Sequence, residues 1–402
     1  VRSIIAGWSD VDRIFFVLDQ SVRLADTDRL VALSDSVFCF SKTDQFDTVG
    51  GNLKRLMRQS PSFQKKTHLV WVMSGDEQVS PFVPDLAILT RRDFKVHLPQ
   101  AQSAPRMFTQ GIDRIIHFLR DVSIGLALSG GAAHGMAHLG VLRAFEAAGI
   151  TIDRIAGTRA GVLTGVLYCA GYTAQWGVER FTRDLEPSPF YKWLPRGDGL
   201  YLLERYRHRK WERMLRKYLS DWRLEQCPIP VHTITTDLIS AQAVVRSSGD
   251  AVDAILESIN LPILSPPISR DGMLLVDGGI VNNLPADQLF EQGCNFVIGV
   301  DVAANIGHRV GDNDCDTPAN EMKVPGAMTT LLRCLRVQAH NMSGVGAEPA
   351  NLIIAPDVSE FASTAFSRTP EMADVGELST RDAMPRIREL LRKLDGPLFE
   401  ER

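Results

Sequence analysis

Three short stretches hold the residues that could do chemistry together. Gly130-Gly131-Ala132-Ala133-His134-Gly135 follows an apolar run and opens a helical pattern. At such a start the first backbone N–H groups lack partners, and the helix dipole favours negative charge, so the loop can hold an oxyanion. Gly157-Thr158-Arg159-Ala160-Gly161 follows a second apolar run. Its glycine spacing is that of a nucleophile elbow, a strained strand-to-helix turn that exposes one side chain. Asp277-Gly278-Gly279 follows a third run and can present a carboxylate to that side chain. The residue at the centre of the elbow ought to be a nucleophile, yet it is Arg159. A guanidinium has five donors, no acceptor and a pKa above about 12, so it cannot attack a carbonyl.

The elements that must position these residues read as an α/β pattern. Strand 123–128 leads into loop 129–135, then into a helix over 136–148 with apolar residues at Met136, Leu139, Val141, Leu142 and Phe145. Gly149 fits its C-cap. Strand 152–156, elbow 157–161 and helix 162–171 come next. Further strands are expected at 229–237, 274–276, 295–300 and 352–354. A short helix ending in a proline-rich turn is expected over 255–267, further helices from 286, at 328–342 and at 381–394, and 302–324 reads as a loop. Ahead of all this, apolar runs at 13–18, 36–40, 68–73 and 94–98 alternate with helical patterns at 27–32, 49–59 and 103–120. Strands alternating with helices predict a small parallel α/β layer. The expected organisation is a small, Rossmann-like α/β domain over 1–121 and a second domain over 122–402.

At this point the chain resembles a known family. SGGAAHGMAHLGVLRAFEAAGI, IAGTRAG and VDGGIVNNLPAD are similar to the three signatures of patatin-like phospholipases, most of all the neuropathy target esterase type. The resemblance covers about residues 122–360 and implies a three-layer α/β/α hydrolase domain. It implies a Ser–Asp dyad that hydrolyses ester bonds of phospholipids or lysophospholipids. By position Asp277 matches the dyad aspartate, and Gly130, Gly131 and Gly135 match the oxyanion loop. In that subgroup the preceding α/β segment lies between cyclic-nucleotide-binding domains and the hydrolase domain. An upstream cyclic-nucleotide-binding domain is therefore implied for the full-length protein. The chain starts at Val1 with what reads as mid-chain material, as expected of the C-terminal part of a longer protein.

Two departures bear on activity. Arg159 occupies the nucleophile position. In the loop, Ala132 replaces a glycine and His134 stands where the family has an arginine. Losing a covalent nucleophile costs orders of magnitude in rate. The other nucleophiles within reach read as structural: Thr158 beside the elbow, Ser129 at a strand end, Cys169 inside a helix, and Ser258. A His134/His138 metal pair lacks an acidic neighbour in sequence, so no metal or cofactor is expected. A carboxylate beside a guanidinium makes a strong pair, and an Arg159–Asp277 salt bridge filling the former active site is one expectation. The other is an Arg159 that snorkels to solvent while Asp277 caps a turn.

Composition narrows the partners. A net charge of −4 argues against a nucleic-acid binder. Six scattered cysteines without a CxxC pair read as reduced thiols of an intracellular protein. No apolar run reaches the length of a bilayer span. The basic, aromatic stretch 176–224 reads either as a lid meeting anionic lipid or as an amphipathic helical insertion with a solvated charged face. The expectation is a cytoplasmic domain, with peripheral contact at a membrane surface. It has lost catalysis and binds a phospholipid or fatty-acyl ligand, or regulates through that ligand. The alternatives are an active phospholipase or lysophospholipase with a non-standard nucleophile, and a purely structural interaction module.

Overall fold

The computed structural model describes residues 13–18, 24–59, 63–74, 77, 79–98, 110–193, 197–207, 209–262, 264–303, 305, 318 and 321–400. The chain divides into two compact units. One is formed by residues 1–72 and 83–94, and the other by 73–82 and 95–402.

The first unit is built on a three-stranded sheet in the order β1-β2-β3 (Val37–Lys42, Thr67–Met73, Arg92–His97), with α1 (Leu24–Leu33) ahead of β1, α2 (Phe46–Gln59) between β1 and β2, and α3 (Pro84–Leu89) between β2 and β3. β1 and β2 pair in parallel, as strands alternating with helices require. The run 13–18 is not a strand. It pairs with no described strand, and Phe15, Phe16 and Val17 are exposed. Its apolar residues favour β structure, but a strand also needs an edge to satisfy its backbone groups.

The second unit holds an eight-stranded sheet, β11-β10-β4-β5-β6-β9-β8 with β7 paired to β6. Its strands are β4 (Ile124–Leu128), β5 (Arg154–Thr158), β6 (Val231–Asp237), β7 (Gln242–Arg246), β8 (Ile268–Arg270), β9 (Met273–Asp277), β10 (Phe296–Val300) and β11 (Leu352–Ile354). The run from β11 to β6 is parallel; β7, β8 and β9 are antiparallel. β4, β6 and β10 are buried along their whole length, as central strands covered on both faces must be.

Alternation along β4 sends Leu126 and Leu128 into the larger core and Ala127 into the smaller one. The larger face carries α5 (Ala137–Ala148), α6 (Ala160–Cys169), α7 (Ala174–Asp184), α9 (Lys210–Leu219), α10 (Ala251–Ser258) and α13 (Thr369–Leu394). The smaller face is covered by α11 (Ala286–Glu291) and the end of α12 (Ala327–Ala347) through Leu289 and Ala347. The result is a three-layer α/β/α domain. α4 (Gln110–Leu119) belongs to this second unit, where His117 Nδ1 lies 2.8 Å from Asp153 Oδ2.

α5 and α13 cross with backbones in contact. A Cβ on Gly140 would fall 1.6 Å from Ala373 O, and one on Gly376 would fall 2.0 Å from Ala137 O. Small residues at both crossing points let α13 lie flat over α5, which carries the loop of the site at its N-terminal end. The stretch 176–224 matches the amphipathic insertion. α9 buries Trp211, Met214, Leu215, Tyr218 and Leu219 and turns Arg213 and Lys217 outward. Phe190 and Trp193 are the exceptions, exposed at 64% and 84%. Among the described residues no helix is long and apolar enough to cross a membrane.

Candidate functional site

Three strand ends converge. β4 ends at Leu128 and runs through the glycine loop into a 3-10 turn, Ala132–Met136, and then α5. β5 ends at Thr158 and turns at Arg159 into α6. β9 ends at Asp277 and turns through Gly278–Ile280. The elbow is strained. Arg159 sits at φ 54°, ψ −115°, outside the regions non-glycine residues normally occupy, at a cost of order 1–3 kcal/mol. Ser258 Oγ holds it there, accepting from the Arg159 N–H at 2.9 Å while donating to Ile234 O at 2.6 Å.

Arg159 folds back over Asp277. Its Nε donates to Oδ1 at 2.5 Å and Oδ2 at 2.6 Å, and its Nη2 also contacts Oδ2. Asp277 is almost fully buried, at 1% side-chain exposure, and Arg159 is 15% exposed. The Gly279 N–H also donates to Asp277 Oδ1, at 2.8 Å. The pair therefore forms and the snorkelling alternative does not hold, although Asp277 does cap its turn as well. Two glycines make room for the arginine. A Cβ on Gly130 would lie 2.4 Å from Arg159 Cδ, and one on Gly279 would lie 2.8 Å from its Nε.

The glycine loop leaves backbone donors open beside this pair. Gly130 N–H is spent on Asn283 O at 3.2 Å, but the N–H groups of Gly131 and Ala132 donate to no described residue. Ala132 holds φ 54°, a left-handed conformation that favours glycine, so its methyl group is carried at a conformational cost. His134 Nε2 is 2.7 Å from Phe361 O, and His138 Nε2 is 2.8 Å from Ser129 O. The two rings thus address separate carbonyls. Burial lowers the pKa of both, His138 to about 4, so both are neutral at pH 7. Among the described residues no group of three His, Cys, Asp or Glu is placed to hold a metal.

The alternative nucleophiles are otherwise engaged. Thr158 Oγ1 donates to Asn282 O at 2.9 Å, and Ser129 Oγ accepts from the Val302 N–H at 3.0 Å. Cys169 is enclosed in the core, and burial pushes its thiol well above the ordinary range.

Gly130, Gly131, Ala132, His134, Arg159 and Asp277 all line one cavity of about 270 Å³. Gly135 does not; it lies under α6, where a Cβ would meet Ala160 Cβ at 2.2 Å. The rest of the lining is mostly apolar. Tyr206, from α8 (Gly197–Arg207), and Trp211 come from the helical insertion, Leu335, Arg336 and Ala339 from α12, and Phe366 from the chain after β11. The aromatic stretch 176–224 signalled the first two. Arg336 and Ser363, which also line it, carry no motif that sequence could signal. Such a site has donors for an anion and room for an apolar body. Its elbow, however, offers no nucleophile.

An α/β/α sheet with a glycine loop, an elbow and an Asp-Gly-Gly turn at its strand ends is the architecture of a lipid acyl hydrolase domain. Residues 126–290 match the family model described as patatin-like phospholipase. Over these residues the chain is similar to the patatin-like phospholipase family, and the relatives it resembles are of the neuropathy target esterase type. It is 28% identical to the neuropathy target esterase sws of Drosophila melanogaster over 68% of this chain and 20% of that protein. It is 26% identical to lysophospholipase NTE1 of Kluyveromyces lactis over 84% of this chain and 24% of that protein. The chain thus spans about a fifth to a quarter of the length of these two relatives. Among solved structures, VipD from Legionella pneumophila aligns with a TM-score of 0.38 and 13% identity, over 66% of this chain and 67% of that one.

Proposed function

We propose that this domain no longer hydrolyses lipid esters and acts instead by binding a lipid or its anionic part in the former active site. One observation carries the reading: the guanidinium of Arg159 occupies the nucleophile position and engages Asp277, the carboxylate expected to serve as base. Hydrolysis by this route needs an acceptor-bearing nucleophile beside that base, and arginine supplies only donors. The apolar cavity lining and the name of the yeast relative, a lysophospholipase, support lipid as the ligand class. Exposed Phe190 and Trp193 support contact with a membrane surface from which such a ligand would be taken. The test is fatty-acid release from lysophosphatidylcholine by the purified chain. The expected rate equals that of buffer alone. Turnover that survives repurification and is lost in Asp277→Asn would refute the reading and restore an active hydrolase.

A further inference from the structure

At the opposite end of the sheet from the elbow, a histidine and an aspartate form a buried pair. Asp153 stands just ahead of β5, and its Oδ2 accepts from the Ile124 N–H at the start of β4, at 2.8 Å. The same oxygen lies 2.8 Å from His117 Nδ1, on α4. Asp153 is 1% exposed and His117 is 5% exposed. Because Oδ2 acts as an acceptor, Nδ1 is the donor, and the pair fixes the orientation of the ring. Nε2 is then the ring position left open, and it has no hydrogen-bond partner among the described residues. A nitrogen on so enclosed a ring costs free energy unless something beside it supplies a hydrogen bond. The ring lines a cavity of about 570 Å³, within the range of small-molecule pockets. Ile116 of α4, Ile150 after α5, Leu391 of α13 and Phe399 of α14 (Gly396–Phe399) give this cavity an apolar wall. Phe399 meets the His117 ring edge to face, with centroids 5.9 Å apart. Asp395 pins α14 there, accepting from the Leu398 N–H at 3.1 Å and from Arg120 Nη2 at 2.7 Å.

We propose that this cavity is a second small-molecule site, and that it takes an uncharged ligand with an apolar body and a hydroxyl group bonded to His117 Nε2. A hydroxyl both donates and accepts, so it serves Nε2 whether the ring is neutral or protonated. The lining carries charges of both signs, Asp113 and Glu400 against Arg388, which favours neither a cation nor an anion. Among the described residues no three His, Cys, Asp or Glu are placed to hold a metal, so the ligand is organic. The site does not depend on the fate of the elbow. The two cavities share no lining residue and lie at opposite ends of α5 and β5.

The experiment follows the histidine ring nitrogens of the full chain, isotope-labelled at histidine, by NMR as para-ethylphenol or ethylbenzene is added. The phenol should shift the His117 Nε2 signal and leave His134, beside the elbow, unmoved. Its dissociation constant should lie about tenfold below that of ethylbenzene, which has the same body without the oxygen. His117→Asn keeps a donor for Asp153 but removes Nε2, and should bring the two compounds within about twofold. Ala148→Phe fills the cavity from the α5 side and should abolish binding of both. If His117→Asn fails to fold, the unmodified chain and Ala148→Phe still decide the matter. No shift at His117, a shift confined to His134, or phenol binding that survives Ala148→Phe would each overturn the second site. Equal affinity of the unmodified chain for the two compounds, or a preference that persists in His117→Asn, would overturn the role of the hydroxyl.

Discussion

Two buried carboxylates in this domain are held by arginines, and they are held differently. Glu257, on α10, is fully buried. Arg246 of β7 contacts it, and Arg270 Nε of β8 lies 2.7 Å from its Oε1. These partners come from two antiparallel strands, and neither arginine sits at a positive φ. The cluster ties helix to sheet, and its only visible role is cohesion. Asp277 is paired just as closely, but its arginine is mounted on a backbone at φ 54° and framed by glycines that leave room for its side chain. A salt bridge made for cohesion needs no strained elbow. The contrast supports the proposal made above, that the backbone around Arg159 has the shape of a turn that presents a nucleophile and carries a different side chain.

The largest effect should separate the two pairs by stability. Glu257→Ala leaves two partly buried arginines without their shared carboxylate and should cost about 3–5 kcal/mol, read as a drop in the urea midpoint. Arg159→Ser also takes the cation from a buried carboxylate, but should cost less than the Glu257 change, because the new hydroxyl can donate to Asp277. The smaller side chain relaxes into an elbow of the right shape, and Asp277 keeps its bond from Gly279. Equal costs would mean that both pairs are structural.

A smaller effect concerns the loop and comes with pH. His138 is buried beneath it with its pKa lowered from about 6.5 to about 4 by desolvation. The unfolded chain therefore binds the proton first as pH falls. Stability from this group is complete above about pH 6.5 and is lost progressively toward pH 4, by roughly 3 kcal/mol. Urea midpoints across that range should show the slope, and His138→Gln should flatten it. His68 and His232, also lowered to about 4, set the part that remains.

The smallest effect tests Ala132. Its left-handed conformation costs roughly 1–2 kcal/mol in an alanine, against an entropic cost of about 0.5–1 kcal/mol for a glycine. Ala132→Gly should therefore stabilise the domain by roughly 0.5 kcal/mol in thermal unfolding. A destabilised variant would show that the methyl group packs usefully.

Much of this contrast could be read in the residues themselves. The two glycine turns, the C-cap at Gly149 with its φ of 65°, and the Asp277 turn depend on local backbone chemistry that sequence expresses directly. The pairing of Arg159 with Asp277 followed from complementary charges placed by motifs at known strand ends. What lay beyond the sequence depends on distant contacts. The helix expected over 381–394 begins at Thr369, because its first turns pack their small residues against α5 rather than display a polar-apolar stripe. β7 and β8 are short, partly exposed hairpin strands; the apolar run of β7 is only Ala243-Val244-Val245 and β8 has none, too little to mark a strand. The short helix expected to start at Ile255 starts at Ala251 and ends at Ser258, because Asp250 caps it through the Asp253 N–H. Arg336 became visible only when α12 was seen beside the elbow.

The central claim is that an intact elbow carries the wrong side chain, and covalent labelling tests it most directly. A fluorophosphonate probe should leave the unmodified chain unlabelled, and should label Arg159→Ser, with the adduct mapping to position 159 and disappearing when Asp277→Asn is added. Labelling of the unmodified chain would contradict the account, because it would reveal an activated hydroxyl elsewhere in the cavity.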